Sequence, residues 1–325
     1  MTLRLSVESD AWRAHVQSVV AAFGDVLPVV KGNGYGFGRA ALMTHTARIA
    51  RDVAVGTVHE LTDVPLSLRP FVLTPIGVGV TLAPRSDAVL TIASEHDLGQ
   101  LARLGATNPV VIKVASSMQR YGVAASDALS LLKRTEQAGH TVVAWSVHLP
   151  LAGSDREHAD EVIAVAKHLN AGLPIQVSHV GTEIARLRHV LSQPVMVRSG
   201  TQLWLGDKSM LGLQADVIAT RNDAMSSGGA SSTRGASGTA GYRATPVSSG
   251  TMLAMVGCGS SHGVGPLDDG RSPFHFDQQR LEMFELPHMH TTMLQLPGNS
   301  SLSVGAWVDV QQPLTRVWPD VVEWR

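Results

Sequence analysis

One cysteine, Cys258, in 325 residues excludes an internal disulfide framework and fits a reducing compartment. Net charge is equally scarce. With 26 Lys and Arg against 27 Asp and Glu the formal balance is -1, so no global field draws the chain to nucleic acid or to an anionic membrane, and neither partner is expected. No stretch holds about 18 uninterrupted apolar residues. The opening MTLRLSVESDAWRAHV has no basic segment followed by a long apolar core. A cytoplasmic location is therefore the expectation, with export in complex with a partner as its alternative. Apolar residues, at 44%, are enough for ordinary globular cores, and the length suits two domains.

Leu3, Leu5 and Val7 alternate with polar residues, which predicts a half-buried strand before Asp10 begins a helix through Val20. Apolar runs then recur at 26 to 30, 52 to 58, 68 to 73, 88 to 93, 109 to 115, 141 to 149, 173 to 179 and 194 to 198. Helical patterns at 39 to 50, 95 to 104, 125 to 138 and 156 to 170 fall between them, so the unit of repetition is strand then helix. This predicts a (β/α)8 TIM-type barrel over 8–205. From 212 the pattern turns to strands separated by Gly, Pro and Ser, clearest at 215 to 220, 252 to 256, 289 to 296 and 306 to 310. A smaller β-rich C-terminal domain over 206–325 is expected, joined by the N-terminal strand 1–7. Within it the polar stretch SSGGASSTRGASGTAG reads as a mobile surface loop.

Several side chains fall where barrel strands end, the catalytic face of such a fold. Lys31 follows the run VLPVV and precedes a glycine-rich loop; a desolvated amine there could form a Schiff base with an aldehyde cofactor, or it could be a solvated lysine beside a turn. The loop lacks GxxxxGK[ST] and a full GxGxxG, which argues against nucleotide binding. Arg120, beyond the strand VVIKV, offers bidentate donors to a carboxylate or phenolate, or caps a helix, or pairs with a surface acid. His148 ends VVAWSVH and could lie against a pyridine ring, or be a hydrogen-bonded core histidine. Thr182, at a helix start, could help bind phosphate or act as a plain N-cap. His158 reads as a solvated helix residue. Cys258 is either a small buried residue or a loop thiol able to carry protons, with His262 as tuner or structural neighbour. His288 and His290 are spaced i, i+2, but without a further ligand type they read as structural, and no metal is expected.

VVKGNGYGFG resembles the VVKANAYGHG motif of alanine racemases and their fold-type III pyridoxal phosphate-dependent relatives. The resemblance puts Lys31 on the cofactor-bonding lysine and Tyr35 on a phosphate-binding tyrosine, with Gly32 and Gly34 replacing two alanines in a way that loosens the loop. KVASSMQRYG is similar to KvDTGMxRxG, which places Arg120 beside the cofactor phenolate and substrate carboxylate and Lys113 as its support; Ala115 stands for the Asp. His148 falls on the ring-stacking histidine, Thr182 on the phosphate-binding Ser of HxxNS, and Arg198 on the arginine facing the pyridine nitrogen. Gly200 and Thr201 would give backbone amides to the phosphate, while an ion pair at the barrel rim is the alternative for Arg198. In MLAMVGCGSSHGVG the resemblance sets Cys258 against the tyrosine of vPIGYADG, the second acid/base.

The implied activity is racemisation or epimerisation of an amino acid with pyridoxal 5'-phosphate, Lys31 and Cys258 each exchanging one Cα proton. Cys258 would act from the partner subunit of a homodimer. An amino-acid decarboxylase of the same fold and a non-catalytic pyridoxal phosphate-binding protein are the alternatives.

Overall fold

A computed structural model describes residues 2–81, 84–170, 172–222, 238–248, 250–298 and 300–325. β1 (Leu3–Val7) and α1 (Ser9–Phe23) open the chain, and each of the eight expected apolar runs then yields a strand. These are β2 (Val26–Pro28), β3 (Asp52–Val55), β4 (Arg69–Val72), β5 (Leu90–Ile92), β6 (Val110–Val114), β7 (Val142–Val147), β8 (Ile175–Val177) and β9 (Val195–Ser199). α2 (Arg39–Thr46), α3 (Glu95–Arg103), α4 (Ala128–Gln137), α5 (Asp155–Ala166), α6 (Ile184–Val190) and α7 (Thr201–Leu205) are interleaved with them. All pairings among β2 to β9 are parallel. β2-β9-β8-β7-β6-β5 form one sheet, β3 pairs with β4, and single bridges at Val29↔Ala54 and Phe71↔Val89 join the two sets into a closed ring.

The runs become strands because both their faces are covered. Val110, Ile112, Val114, Ile175 and Val177 are buried on the helix-facing side, while Leu27, Val29, Ala54, Phe71, Val89, Val111 and Ala144 meet in one cluster inside the ring. The helices carry their own start signals. At α5, Ser154 Oγ accepts from the Glu157 amide and the Glu157 carboxylate accepts from the Ser154 amide, a reciprocal cap on two otherwise unpaired donors.

The β-rich part is a nine-stranded sheet among the described residues. β10 (Leu211–Asn222) is its long central strand, flanked by β13 (Met252–Val256) and β18 (Trp307–Val310). β11 (Gly238–Ala240) and β12 (Thr245–Val247) form a separate hairpin. β14 (Phe274–Phe276), β15 (Gln279–Arg280), β16 (Glu282–Met283) and β17 (Thr292–Leu296) extend the sheet's edges. β1 pairs antiparallel with β10 and parallel with β19 (Val321–Trp324).

Two compact units result: a barrel unit of Ala14–Gly34 and Arg39–Gly206, and a sheet unit of Met1–Arg13, Tyr35–Gly38 and Asp207–Arg325. The division departs from the expected boundaries at 8–13 and, further in, at Tyr35–Gly38, both of which cluster with the sheet unit. There Phe37 stacks on Trp324 at 5.9 Å and meets Trp12 at 5.4 Å, aromatic contacts that hold this short segment to the sheet's own residues. Most of the polar stretch expected to be a loop, its residues 226–237, lies outside the described residues. Among the described residues no helix is long and apolar enough to cross a membrane.

Candidate active site

Strand alternation explains why the polar candidates converge. Val29, Val111, Ala144 and Met196 point into the barrel, and two residues further along each strand direction stand Lys31, Lys113, Ser146 and Arg198. His148 is two beyond Ser146. The same faces that build the apolar interior therefore end in polar and basic side chains at the carboxyl-terminal mouth.

Arg198, only 7% exposed, is fixed by donating from Nη1 to Ser146 Oγ at 2.7 Å and from Nη2 to the Val147 carbonyl at 2.9 Å. Burial pulls it down to about 10, which leaves it charged at neutral pH. Its Nε is buried and has no hydrogen-bond partner among the described residues. His148 Nδ1 lies 2.5 Å from Ser178 Oγ and 3.4 Å from Arg198 Nη2. Since Arg198 can only donate, Nδ1 is an acceptor there and the ring proton sits on Nε2. Burial, then Arg198, Lys113, His179 and Arg120, depress His148 to about 2. Lys113, 4% exposed, is lowered by burial and by Arg198, Arg120 and Lys31 to about 6, so it is mainly the free amine at neutral pH.

Lys31 is exposed, and it is the partial enclosure of the mouth around its amine that lowers it first, then Arg120 and Arg198, with Glu60 pulling the other way. Glycine in its loop is a geometric requirement, which corrects the expectation of a loosened loop: Gly34 has φ 63°, and a Cβ there would lie 2.6 Å from the Arg39 amide nitrogen. Arg39 donates to the Gly32 carbonyl and to Asp63, so both sides of the loop are held.

The other candidates are less uniform. Arg120 is exposed and lies over the Tyr121 ring at 4.6 Å, while Lys113 Nζ is 5.6 Å from that ring. With Ala115 in place of a carboxylate, its loop is tied down by Ser116 Oγ donating to the His148 carbonyl and by Ser117 donating twice to Glu161. The Thr182 amide already donates to Asp155 Oδ2 at 3.1 Å, and a Cβ at Gly181 would lie 1.8 Å from the same oxygen. A carboxylate thus occupies that donor. Gly200 and Thr201 line a cavity of about 380 Å³ with Arg198, His179 and Gly181. Tyr35, at φ 55°, is buried within the sheet unit's share of the chain.

His158 is buried instead of solvated, its ring nitrogens 2.6 Å from the His179 carbonyl and 2.9 Å from the Ala152 carbonyl. It ties together the two loops that follow β7 and β8. Sequence reasoning also missed Ser146 and Ser178, the partners of Arg198 and His148, and Glu60 beside Lys31. The first two were findable by alternation, since each lies on an inward position of a strand already recognised.

Cys258 requires correction. It is 0% exposed, as are Ala254 and Val256, so it continues the buried face of β13 at the same period of two. Burial, reinforced by the negative charges of Asp216 and Asp320, pushes its thiol far up, and the group has neither substrate access nor an available thiolate. When both glycines of the GYADG segment are laid on Gly259 and Gly263, the tyrosine falls on Ser260, which is exposed. His262 is structural: its Nδ1 accepts from the Gly259 amide at 3.1 Å and its Nε2 lies 3.2 Å from Asp320. His288 pairs with Glu285, and His290 Nδ1 lies 2.9 Å from Ser261 Oγ.

The family model described as alanine racemase, N-terminal domain, matches residues 7–207. The chain belongs to the alanine racemase family. Curated alanine racemases of Alcanivorax borkumensis and Mycolicibacterium smegmatis are each 28% identical to it, over 214 and 212 residues. Those matches cover 62% and 57% of this chain but 59% and 52% of the relatives, so the chain spans little more than half the length of the curated relatives it matches. Among solved structures, biosynthetic alanine racemase from Pseudomonas aeruginosa superposes with a TM-score of 0.71 at 16% identity, covering 100% of this chain and 99% of that one. Alanine racemase from Bartonella henselae, solved with covalently bound pyridoxal phosphate, gives 0.69 at 15%, covering 97% of this chain and 91% of that one. At these identities the superpositions establish the alanine racemase fold, a TIM-type barrel with a β-rich second part.

Proposed function

We propose that this chain is a pyridoxal phosphate-dependent amino-acid racemase that bonds its cofactor through Lys31. One observation carries the reading: Lys31, exposed just past the end of β2 with its amine lowered by partial enclosure, Arg120 and Arg198, shares the barrel mouth with a buried arginine whose Nε–H has no partner among the described residues. The residues present fit the group. Arg198 Nε would donate to the pyridine nitrogen and keep its own charge, the neutral His148 ring would lie against the pyridine, and the Gly200 and Thr201 amides would serve the phosphate. The Thr182 amide is the weak member of that set, because Asp155 holds it. No part in it is assigned to Tyr35.

When bound, pyridoxal phosphate draws electrons from the amino acid's Cα and acidifies its proton. Lys31 would take or return that proton on one face, since an amine with a lowered pKa exchanges protons nearer neutrality. Arg120 is exposed, and its planar fork suits the substrate carboxylate. Racemisation also needs a donor on the other face, and the burial of Cys258 removes that residue from the role. The same observation favours a second reading, cofactor binding without turnover, and leaves the decarboxylase alternative without its proton donor. A homodimeric, cytoplasmic protein belongs to the main reading, the first drawn from the family resemblance and the second from the single cysteine.

A panel of amino acids incubated with the cofactor-loaded protein and resolved by chiral chromatography tests this. The expected result is interconversion of at least one enantiomeric pair, abolished in Lys31→Ala. Cofactor bound at Lys31 with no interconversion and no solvent deuterium entering Cα would establish the second reading instead.

A further inference from the structure

Glu60 stands in a short 3-10 segment, Val58–Asp63, that follows β3 and precedes β4. Its carboxylate accepts from the Gly32 amide through Oε1 at 2.9 Å and from the Gly56 amide through Oε2 at 2.6 Å. Gly32 follows Lys31 directly, and Gly56 follows β3, so one side chain spans the carboxyl ends of two neighbouring barrel strands. The spacing leaves little slack. A Cβ at Gly56 would lie 3.1 Å from Glu60 Oε2 and 3.4 Å from Lys31 Cβ. Three residues on, Asp63 of the same segment pairs with Arg39, which also donates to the Gly32 carbonyl.

Charge adds to geometry. Arg120 and Arg198 act on the Lys31 amine as like charges, and Glu60 is the carboxylate that opposes them. Asp63 is already paired with Arg39.

We propose that Glu60 is the positioning residue for Lys31: its carboxylate clasps the ends of β2 and β3 and sets a negative charge beside the amine. Two backbone donors satisfied by one ionised acceptor make a charge-assisted pair of hydrogen bonds, stronger than neutral contacts of the same length. The fixed charge stabilises the Lys31 ammonium against the charges of Arg120 and Arg198. The inference deepens the assignment of Lys31 above and rests on it only for its importance to catalysis.

The test uses the apo chain, so that it stands apart from cofactor chemistry. Competitive acetylation with acetic anhydride across pH 6 to 11, with Lys31 quantified by peptide mass spectrometry, reads the fraction of free amine. In Glu60→Gln the midpoint for Lys31 is expected to fall by about one pH unit, the size expected for losing one charge at close range in a partly solvated site. Glu60→Asp keeps the charge but shortens the reach, so its midpoint should stay near wild type while capture of pyridoxal phosphate, read by borohydride fixation at Lys31, slows several-fold. An unchanged midpoint in folded Glu60→Gln overturns the electrostatic part, and unimpaired capture in Glu60→Asp overturns the clasp. If labelling shifts as expected but cofactor never fixes at Lys31, the proposal for Glu60 stands and the assignment of Lys31 fails.

Discussion

At Cys258 a single side chain shows how burial decides reactivity. Ala254 and Val256 of β13 and Cys258 just beyond its end are fully buried at a spacing of two, and the thiol is packed as their equivalent. Cys258→Ala is expected to cost about 1 kcal/mol in unfolding free energy, as a small buried truncation does, and to leave cofactor capture at Lys31 unchanged. Denaturant titrations measure the first and borohydride fixation the second. A thiol reagent should modify the native chain only at the rate of unfolding. The sequence offered evidence on both sides here. Its glycines and serines after Cys258 read as an open loop, while the alternation before it, Ala254 then Val256, already pointed inward. Lys31, His148 and Arg198 were legible because each ends a recognisable apolar run. Glu60 was not: a lone acid in a short connecting segment carries no period, and its partners are backbone amides 28 and 4 residues away.

Among the elements, the loop after β2 tolerates little change. Gly34 combines a left-handed φ with close approach to the backbone of Arg39, and the obstacle is an amide nitrogen that cannot swing aside as a side chain could. Gly34→Ala is therefore expected to destabilise the barrel unit by about 2 kcal/mol and to slow cofactor capture at Lys31, whereas Gly38→Ala should be milder, since no atom lies within 4 Å of its Cβ position. Chemical denaturation of the two variants side by side separates the clash from the shared positive φ. The eight strands themselves were readable because a parallel strand covered on both faces leaves an unbroken apolar run. β14, β15, β16 and β19 were not, being two to four residues long and only partly buried apart from Phe274.

For the molecule as a whole, the gathered cations make stability depend on pH with a definite sign. Lys113 binds its proton at about 6 when folded and at 10.5 in the reference state, so between those values the unfolded chain holds a proton that the folded chain does not, and stability rises with pH. His148 acts with the same sign between about 2 and 6.5. The raised thiol of Cys258 acts oppositely above its ordinary value of 9.0. The thermal midpoint of the apo chain should accordingly climb from pH 6 to about pH 9, by at most about 1.4 kcal/mol of stability per pH unit from Lys113, and Lys113→Met should flatten the climb. A flat wild-type profile would show that Lys113 is protonated in the folded state. The closed ring carries one more consequence, on the timescale of opening. Between β2 and β3 it is sealed by a single bridge, where the Val30 amide donates to the Ala54 carbonyl at 2.8 Å, and one turn of chain later by the carboxylate of Glu60. Between β6 and β7, by contrast, a five-residue ladder does that work. Amide hydrogen exchange should therefore be faster at Val30 than at Ile112, and faster still in Glu60→Gln, making the Val30 proton a clock for a barrel that unzips at the strand leading to Lys31.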